Sequence, residues 1–351
     1  MDLDEQYIQR CIDLAKKGEN NVKSNPHVGA VIVHKGSIIG EGYHKQYGRD
    51  HAEVDALKSV NPSDTHLLKD STMYVSLEPC NHFGKTPPCV NAIIESGIKK
   101  VVIGSEDPSP SMKGKSVEIL RENGVDVKMG VLANQTNLLL RRFEANRNGL
   151  PFVVIKYAQS KDFFIGKKDE QVAISGDGTS IFTHRLRALN EAIFVGTNTA
   201  IVDDPSLTTR NYPGDSPLRI VLDRHESIPK AHLLINDELP TLIFTLKENY
   251  KVKRDNKSVE TLDDWDLEGL LRSIYQRGIH SLLVEGGAKV IKWFVKEELW
   301  HDAFIITSQD TILNEGVRAP TLKGKLLKSW IIQKDQISHV VNIFDKRLKK
   351  I

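Results

Sequence analysis

Two successive α/β units are the fold class that this sequence predicts, on three observations. Short apolar runs of strand character alternate with amphipathic helical patterns along the chain. The alternation stops at Gly149-Leu150-Pro151 and then restarts on a new apolar run. The 351 residues suit two domains at about 150 residues each.

Composition narrows the class further. With 40% hydrophobic residues the chain can bury a core, so disorder is excluded. No apolar run reaches the roughly 18 residues of a membrane helix, and the acidic opening Met1-Asp2-Leu3-Asp4-Glu5 is not a secretory signal. Three cysteines are too few for a disulfide framework, which leads us to expect a reducing, cytoplasmic setting. The 48 basic and 46 acidic side chains nearly cancel, so neither a nucleic-acid surface nor a membrane surface is expected.

Tyr7, Cys11, Leu14 and Ala15 recur at helical spacing and predict an opening helix that ends near Gly18. Residues 28–33 are a buried-strand run, and Lys35-Gly36 turns into a second strand over 37–43. A helix over 51–60 and a third strand over 72–77 follow. Pro87-Pro88 opens a helix that runs through Glu95 and stops at Gly97. Next come a strand over 101–104, a helix over 115–122 ended by Asn123-Gly124, and a strand over 125–131. A long helix over 134–146 closes the first domain, placed at 1–148. The second domain, 149–351, carries strand patterns over 152–157, 192–196, 218–222, 242–246, 281–284 and 303–307. Its helices are expected over 183–190, 267–276 and 290–299, with a charged, solvated loop over 247–257.

The first domain holds a constellation with zinc chemistry. His51-Ala52-Glu53 opens a helix, and Cys80 and Cys89 bracket a loop of eight residues. One imidazole and two thiolates suit zinc, and three protein ligands leave a position open for water. Zinc lowers the pKa of that water from ~15.7 to about 7, and Glu53 is placed to take its proton. This is the signature of the zinc deaminases, in which the glutamate is general acid/base rather than ligand. Those enzymes usually carry two residues between the cysteines. The alternatives are two unconnected buried thiols or a closed structural zinc site; the latter would need a fourth ligand, for which His82 is the near candidate, and it would give Glu53 no task.

Around these residues the chain resembles the bifunctional riboflavin-biosynthesis deaminase/reductase family over nearly its whole length. The matching blocks are Asn25-Pro26-His27-Val28-Gly29-Ala30-Val31, Gly40-Glu41-Gly42-Tyr43-His44, His51-Ala52-Glu53, and Leu77-Glu78-Pro79-Cys80 through Thr86-Pro87-Pro88-Cys89. The long Cys-to-Cys insert carrying Gly84-Lys85-Thr86-Pro87-Pro88 is the specific part. The resemblance implies a cytidine-deaminase-like three-layer domain followed by a dihydrofolate-reductase-like domain. It implies hydrolytic deamination of 2,5-diamino-6-(5-phosphoribosylamino)pyrimidin-4(3H)-one, with Asn25, His44, His82 and Lys85 matching substrate contacts. Those side chains are apt: an amide can read a base edge, while lysine and histidine can meet a phosphate.

In the second domain Val284-Glu285-Gly286-Gly287-Ala288 reads as strand, glycine turn and helix. Such a turn can bring backbone N–H groups to a phosphate, or can be no more than a tight connection. The family match runs through Gly196-Thr197-Asn198-Thr199-Ala200, Asp203-Asp204-Pro205-Ser206-Leu207-Thr208-Thr209-Arg210, Pro217 to Asp223, and Glu285-Gly286-Gly287. It implies NADPH held by Ala158, Ala173, Thr199, Asp203, Gly287, Ala288, Lys289, Val290, Ile291, Lys292 and Trp293. It implies substrate contacts at Lys156, Arg187, Leu207, Arg210 and Glu285, and reduction of the ribosyl group to ribityl by hydride delivery to the sugar C1′. No side chain is an obvious proton donor for that step. The chain departs from the family at Phe163, where glycine is usual, and at Ala173, where tryptophan is frequent. Zinc and NADPH are thus the expected cofactors, pyrimidine nucleotides the partners, and a homo-oligomer the expected assembly, since two-site enzymes with reductase folds often associate through such domains. The competing readings are a deaminase carrying a non-reducing binding domain, and a nucleic-acid base deaminase.

Overall fold

The computed structural model describes residues 2–344 apart from 111, 169, 253 and 265. Its contacts divide the chain into two compact units, the first ending at Arg147 and the second beginning at Asn148. Residues 1 and 345–351 of the expected domains, and residue 253 of the expected charged loop, lie outside the described residues.

In the first unit α1 (Leu3–Ala15) starts on a capping box. The Asp2 carboxylate accepts the Glu5 N–H at 2.8 Å, and Glu5 accepts the Asp2 N–H at 3.1 Å. β1 (Gly29–His34) and β2 (Ser37–Tyr43) form a hairpin through Lys35-Gly36, whose φ values of 48° and 84° are those a tight hairpin turn requires. β3 (Thr72–Leu77), β4 (Lys100–Ser105) and β5 (Asp126–Met129) complete, among the described residues, a five-stranded sheet of order β2-β1-β3-β4-β5. β1 is antiparallel to both neighbours, and β3, β4 and β5 are parallel.

The period of two along the strands sorts their side chains into two apolar layers. Ala30, Ile32, Met73, Val75, Val101 and Ile103 meet α2 (Ala52–Ser59), α3 (Cys89–Glu95) and α4 (Lys115–Glu122). Val31, Val33, Tyr74 and Val102 meet Ile8, Cys11, Ile12 and Leu14 of α1. A further helix, α5 (Ala133–Arg147), packs against β4. The three layers are those expected of a cytidine-deaminase-like domain. Glycine makes the site-bearing layer possible: a Cβ at Gly42 would lie 2.2 Å from the Ala56 N of α2. Only a strand without that atom lets the helix carrying Glu53 lie this close.

The second unit is also three-layered. Its strands are β6 (Phe152–Gln159), β7 (Ala192–Val195), β8 (Leu218–Leu222), β9 (Thr241–Thr245), β10 (Lys257–Thr261), β11 (Ser281–Val284), β12 (Asp302–Ser308), β13 (Lys325–Ile332) and β14 (Asp335–Val341). Among the described residues they form one sheet of order β10-β9-β8-β7-β11-β6-β12-β14-β13, parallel except where β14 pairs with β12 and β13. Its helices are α6 (Asp177–Ala188), α7 (Thr197–Asp203), α8 (Leu233–Asn236), α9 (Leu267–Gln276) and α10 (Ala288–Lys296). α9 and α10 bury Leu270, Ile274, Ile291 and Phe294 on one face of the sheet, while Leu186, Ala200 and Leu234 of α6, α7 and α8 cover the other.

Several parts of this unit depart from the sequence reading, among them α8 and β10, for which no element was expected. α6 begins at Asp177 rather than near 183, α7 was not anticipated, and neither were β13 and β14. The expected solvated loop ends in a buried residue: Lys257 opens β10 and its Nζ donates to Asp237 Oδ1 at 2.9 Å.

Candidate active sites

His51 stands at the N-cap of α2 with extended backbone, Cys80 lies in the loop after β3, and Cys89 is the first residue of α3. Two helix N-termini and the loop after β3 therefore deliver three donors to one point. His51 Nδ1 lies 3.5 Å from Cys80 Sγ and 3.3 Å from Cys89 Sγ, and the three donor atoms are all within 4.8 Å of one another. The Cys89 backbone N–H donates to Cys80 Sγ at 3.3 Å. Hydrogen bonds from Cys89 and His51 hold the Cys80 thiol down to about 4, while the hydrogen bond to Cys80, and then burial, push Cys89 up. The donor set fits zinc: one imidazole nitrogen, one thiolate already favoured, and a second thiol that ionises against a cation. No fourth protein ligand joins the group among the described residues.

Glu53 sits in the first turn of α2, 3% exposed. Burial, and then the Cys80 charge, push its carboxyl up to about 7. His44 is likewise buried. Its Nδ1 lies 3.0 Å from the Asp50 carbonyl oxygen, so Nδ1 donates and Nε2 accepts from Asn25 Nδ2 at 3.0 Å. Burial favours this neutral ring. The pair fixes the Asn25 amide and leaves its carbonyl oxygen available.

A cavity of ≈ 450 Å³ opens over these groups, and Asn25, His44, His51, Glu53, Cys80, His82 and Lys85 are all on its wall. The Lys85 ammonium lies 4.3 Å from the centroid of the Tyr47 ring, a cation–π contact that orients it over the cavity mouth. Glu78 and Asp107 on the same wall were not singled out from the sequence. Glu78 is buried, and its carboxylate accepts the N–H groups of Asp107 and Gly114 at 3.1 Å and of Ser116 at 3.2 Å. Only a carboxylate adjoining the Pro79-Cys80 pair hinted at it.

In the second unit Glu285 directly follows β11 and lines a cavity of ≈ 480 Å³. Arg187 grips it with two hydrogen bonds, Nε to Oε1 at 2.9 Å and Nη2 to Oε2 at 3.0 Å, and Lys156 Nζ lies 3.7 Å away. Burial alone would raise this carboxyl, yet the two cations hold it at about 2. Burial lowers Lys156 and raises Asp203. Arg210, Thr199, Asp203, Ala158, Ala173 and Gly287 share the wall.

The remaining candidates fall elsewhere. The Leu207 side chain is buried in the apolar layer with Leu186 and Ala200. Val290 and Ile291 face the core, Trp293 packs against it, and Lys289 and Lys292 are exposed on α10. Contact with a cofactor from this helix would therefore come from the backbone of its first turn, where Gly287 caps the helix without a side chain and the first N–H groups have no partner inside it. A Cβ at Gly286 would lie 2.8 Å from Val290, so that glycine lets the turn from β11 close onto α10, while one at Gly287 would lie 3.1 Å from Thr199 Oγ1 on the cavity wall. Those features fit a dinucleotide phosphate. Phe163 adopts φ 65°, the conformation for which glycine is suited, but its ring is 57% exposed and lies off the cavity wall. Ala173 is on the wall.

Two family models match the chain: the cytidine and deoxycytidylate deaminase zinc-binding region over residues 1–105, and the RibD C-terminal domain over residues 151–335. The riboflavin biosynthesis protein RibD of Aquifex aeolicus is 38% identical, over 90% of this chain and 89% of that protein. The protein of the same name from Bacillus amyloliquefaciens is 37% identical, over 91% and 88%. A solved diaminohydroxyphosphoribosylaminopyrimidine deaminase/5-amino-6-(5-phosphoribosylamino)uracil reductase from Thermotoga maritima superposes with a TM-score of 0.84 at 34% identity, covering 97% of this chain and 98% of that one.

Proposed function

The chain belongs to the RibD family and is a bifunctional deaminase and reductase of riboflavin biosynthesis that uses zinc and NADPH, and on that premise we propose how its two cavities divide the work. The first deaminates 2,5-diamino-6-(5-phosphoribosylamino)pyrimidin-4(3H)-one, and the second reduces the ribosyl group of the product to ribityl.

His51, Cys80 and Cys89 would hold zinc, which when bound supplies water acidic enough to act as nucleophile at neutral pH. Glu53 takes a proton from the attacking water and passes one to the departing ammonia. Asn25, fixed by His44, hydrogen-bonds the edge of the base. Lys85 and His82 receive the phosphate. The observation that carries this reading is a buried carboxylate, Glu53, on the wall of a cavity that also holds the His/Cys/Cys group.

In the second cavity NADPH supplies the hydride. The first turn of α10, with Thr199, holds its phosphate end, Asp203 accepts from the cofactor's hydroxyl groups, and Ala158 and Ala173 flank it. Arg187, kept in place by Glu285, and Arg210 meet the substrate phosphate. Lys156 presents its ammonium to the substrate's polar edge. Neither a nucleic-acid deaminase nor a non-reducing second domain is favoured. Among the described residues no helix is long and apolar enough to cross a membrane. The reading assigns the enzyme to the cytoplasm and expects self-association, which sedimentation would measure. Its direct test is ammonia release from the diaminopyrimidine phosphate by zinc-loaded protein; no release overturns the first assignment.

A further inference from the structure

The wall of the second cavity is held from a part of the chain that the sequence reading left blank. α6 supplies Asp177, Ser180, Thr183, His184 and Arg187 to that wall, and the segment before it supplies Ala173 to Gly176. Yet the N-cap of α6 is Gly176, which has no side chain to satisfy the orphan N–H groups of the first turn. Asp335, the first residue of β14 and 3% exposed, brings an acceptor to that end from outside the helix. Its Oδ2 accepts the Gly176 N–H at 2.9 Å and the Thr179 hydroxyl. The same residues crowd together from both sides: a Cβ at Gly178 would lie 2.7 Å from the Gln333 side chain of the β13–β14 turn. A second tie, Thr311 Oγ1 to the Ile174 carbonyl at 3.1 Å, fixes the wall segment at its middle.

We propose that Asp335 is a positioning residue of the reductase: through Gly176 and Thr179 it sets where α6 and the 173–176 wall stand, and with them Arg187 against Glu285. A carboxylate is suited to the task because it meets the positive end of the helix and accepts two donors on one oxygen. The Gly176 N–H, the N-cap donor of α6, is thus held by a side chain from β14. Asp335 is not on the cavity wall. The inference rests on the assignment of this cavity to the reductase.

Steady-state kinetics on the full chain test it, with ammonia release by the same samples reporting that the first unit is intact. Asp335→Ala raises the KM for NADPH or for the deaminated substrate about tenfold or more, since small displacements of binding groups carry rate and affinity penalties of that order. Deamination is unchanged. Asp335→Asn, which keeps one acceptor oxygen, falls between Asp335→Ala and wild type, and Thr179→Val shifts KM in the same direction by less. Unchanged KM values in Asp335→Ala overturn the inference. So does a loss in kcat alone that follows the folded fraction measured by circular dichroism, since that is a stability effect. If wild-type protein oxidises no NADPH, the assignment of the cavity fails instead.

Discussion

Replacing Glu285 by glutamine keeps its shape and removes its charge, and the consequences follow from the three groups around it. The carboxyl stands at about 2, against an ordinary 4.5, because Lys156 and Arg187 outweigh its burial. That difference corresponds to about 3 kcal/mol of stability at neutral pH, undiminished by solvent because the side chain is 8% exposed. The folded value lies below the unfolded one, so the contribution is complete above pH 4.5 and is lost as the pH falls towards 2. Glu285→Gln also leaves two buried cations without their anion, which a change at Arg187 does not. Arg187→Met leaves Lys156 at 3.7 Å as countercharge and is expected to be the milder substitution. A unit of about 200 residues loses about 2–4 °C per kcal/mol, so Glu285→Gln lowers the melting transition of the second unit by about 6–12 °C at pH 7. Calorimetry or thermal inactivation of NADPH oxidation measures this, and deamination at 25 °C is retained. The gap from wild type narrows as the pH is lowered below 4.5. A transition within about 2 °C of wild type, a gap independent of pH, or a milder effect than Arg187→Met refutes the reasoning.

Four further outcomes are expected. Glu53→Gln retains zinc by metal analysis but loses about 10²–10⁴-fold in deamination; turnover within tenfold of wild type would remove Glu53 from the proton path. Chelation of zinc stops ammonia release and leaves NADPH oxidation on the deaminated substrate intact, and loss of both activities would contradict separate sites. Gly42→Ala drives a Cβ to 2.2 Å from Ala56 N, so it destabilises the first unit by about 3 kcal/mol or more and depresses deamination while sparing reduction; a wild-type melting curve would show that α2 can retreat freely. Phe163→Gly changes stability by no more than about 1 kcal/mol, left-handed strain being offset by chain entropy, with the KM for NADPH unchanged. An altered KM would show that the ring reaches the cofactor.

Much of the fold was legible because central parallel strands are continuous apolar runs. β3, β8 and β11 have the bounds that their residues suggest, as do α4 and α9. The misses share a physical cause. β13 and β14 pair at the sheet edge with many exposed or half-buried residues, so Lys325–Ile332 mixes lysine and serine with isoleucine and offers no apolar run. The first turn of α6, Asp177-Gly178-Thr179-Ser180, has poor helix propensity and is stabilised by Asp335, a residue remote in sequence. Site residues divide in the same way. His51, Glu53, Cys80 and Cys89 could be read from ligand chemistry alone, because that combination has few other uses. Glu78 and Asp335 could not, since each acts on backbone N–H groups that no spacing rule connects to it. The Gly286-Gly287 turn was visible but ambiguous until the cavity beside it was seen.

The central claim is that two cavities in one chain carry out deamination and then reduction. Purified zinc-loaded protein is incubated with the diaminopyrimidine phosphate and NADPH, and ammonia and NADPH are followed together. The account predicts that ammonia appears first and that one NADPH is oxidised for each ammonia released. It also predicts that a mixture of Glu53→Gln chains with Glu285→Gln chains carries out both steps, ammonia being released by the Glu285→Gln chains and its product reduced at the unaltered second site of the Glu53→Gln chains. NADPH oxidation on that substrate without ammonia release, or ammonia release with no NADPH oxidised, would contradict it.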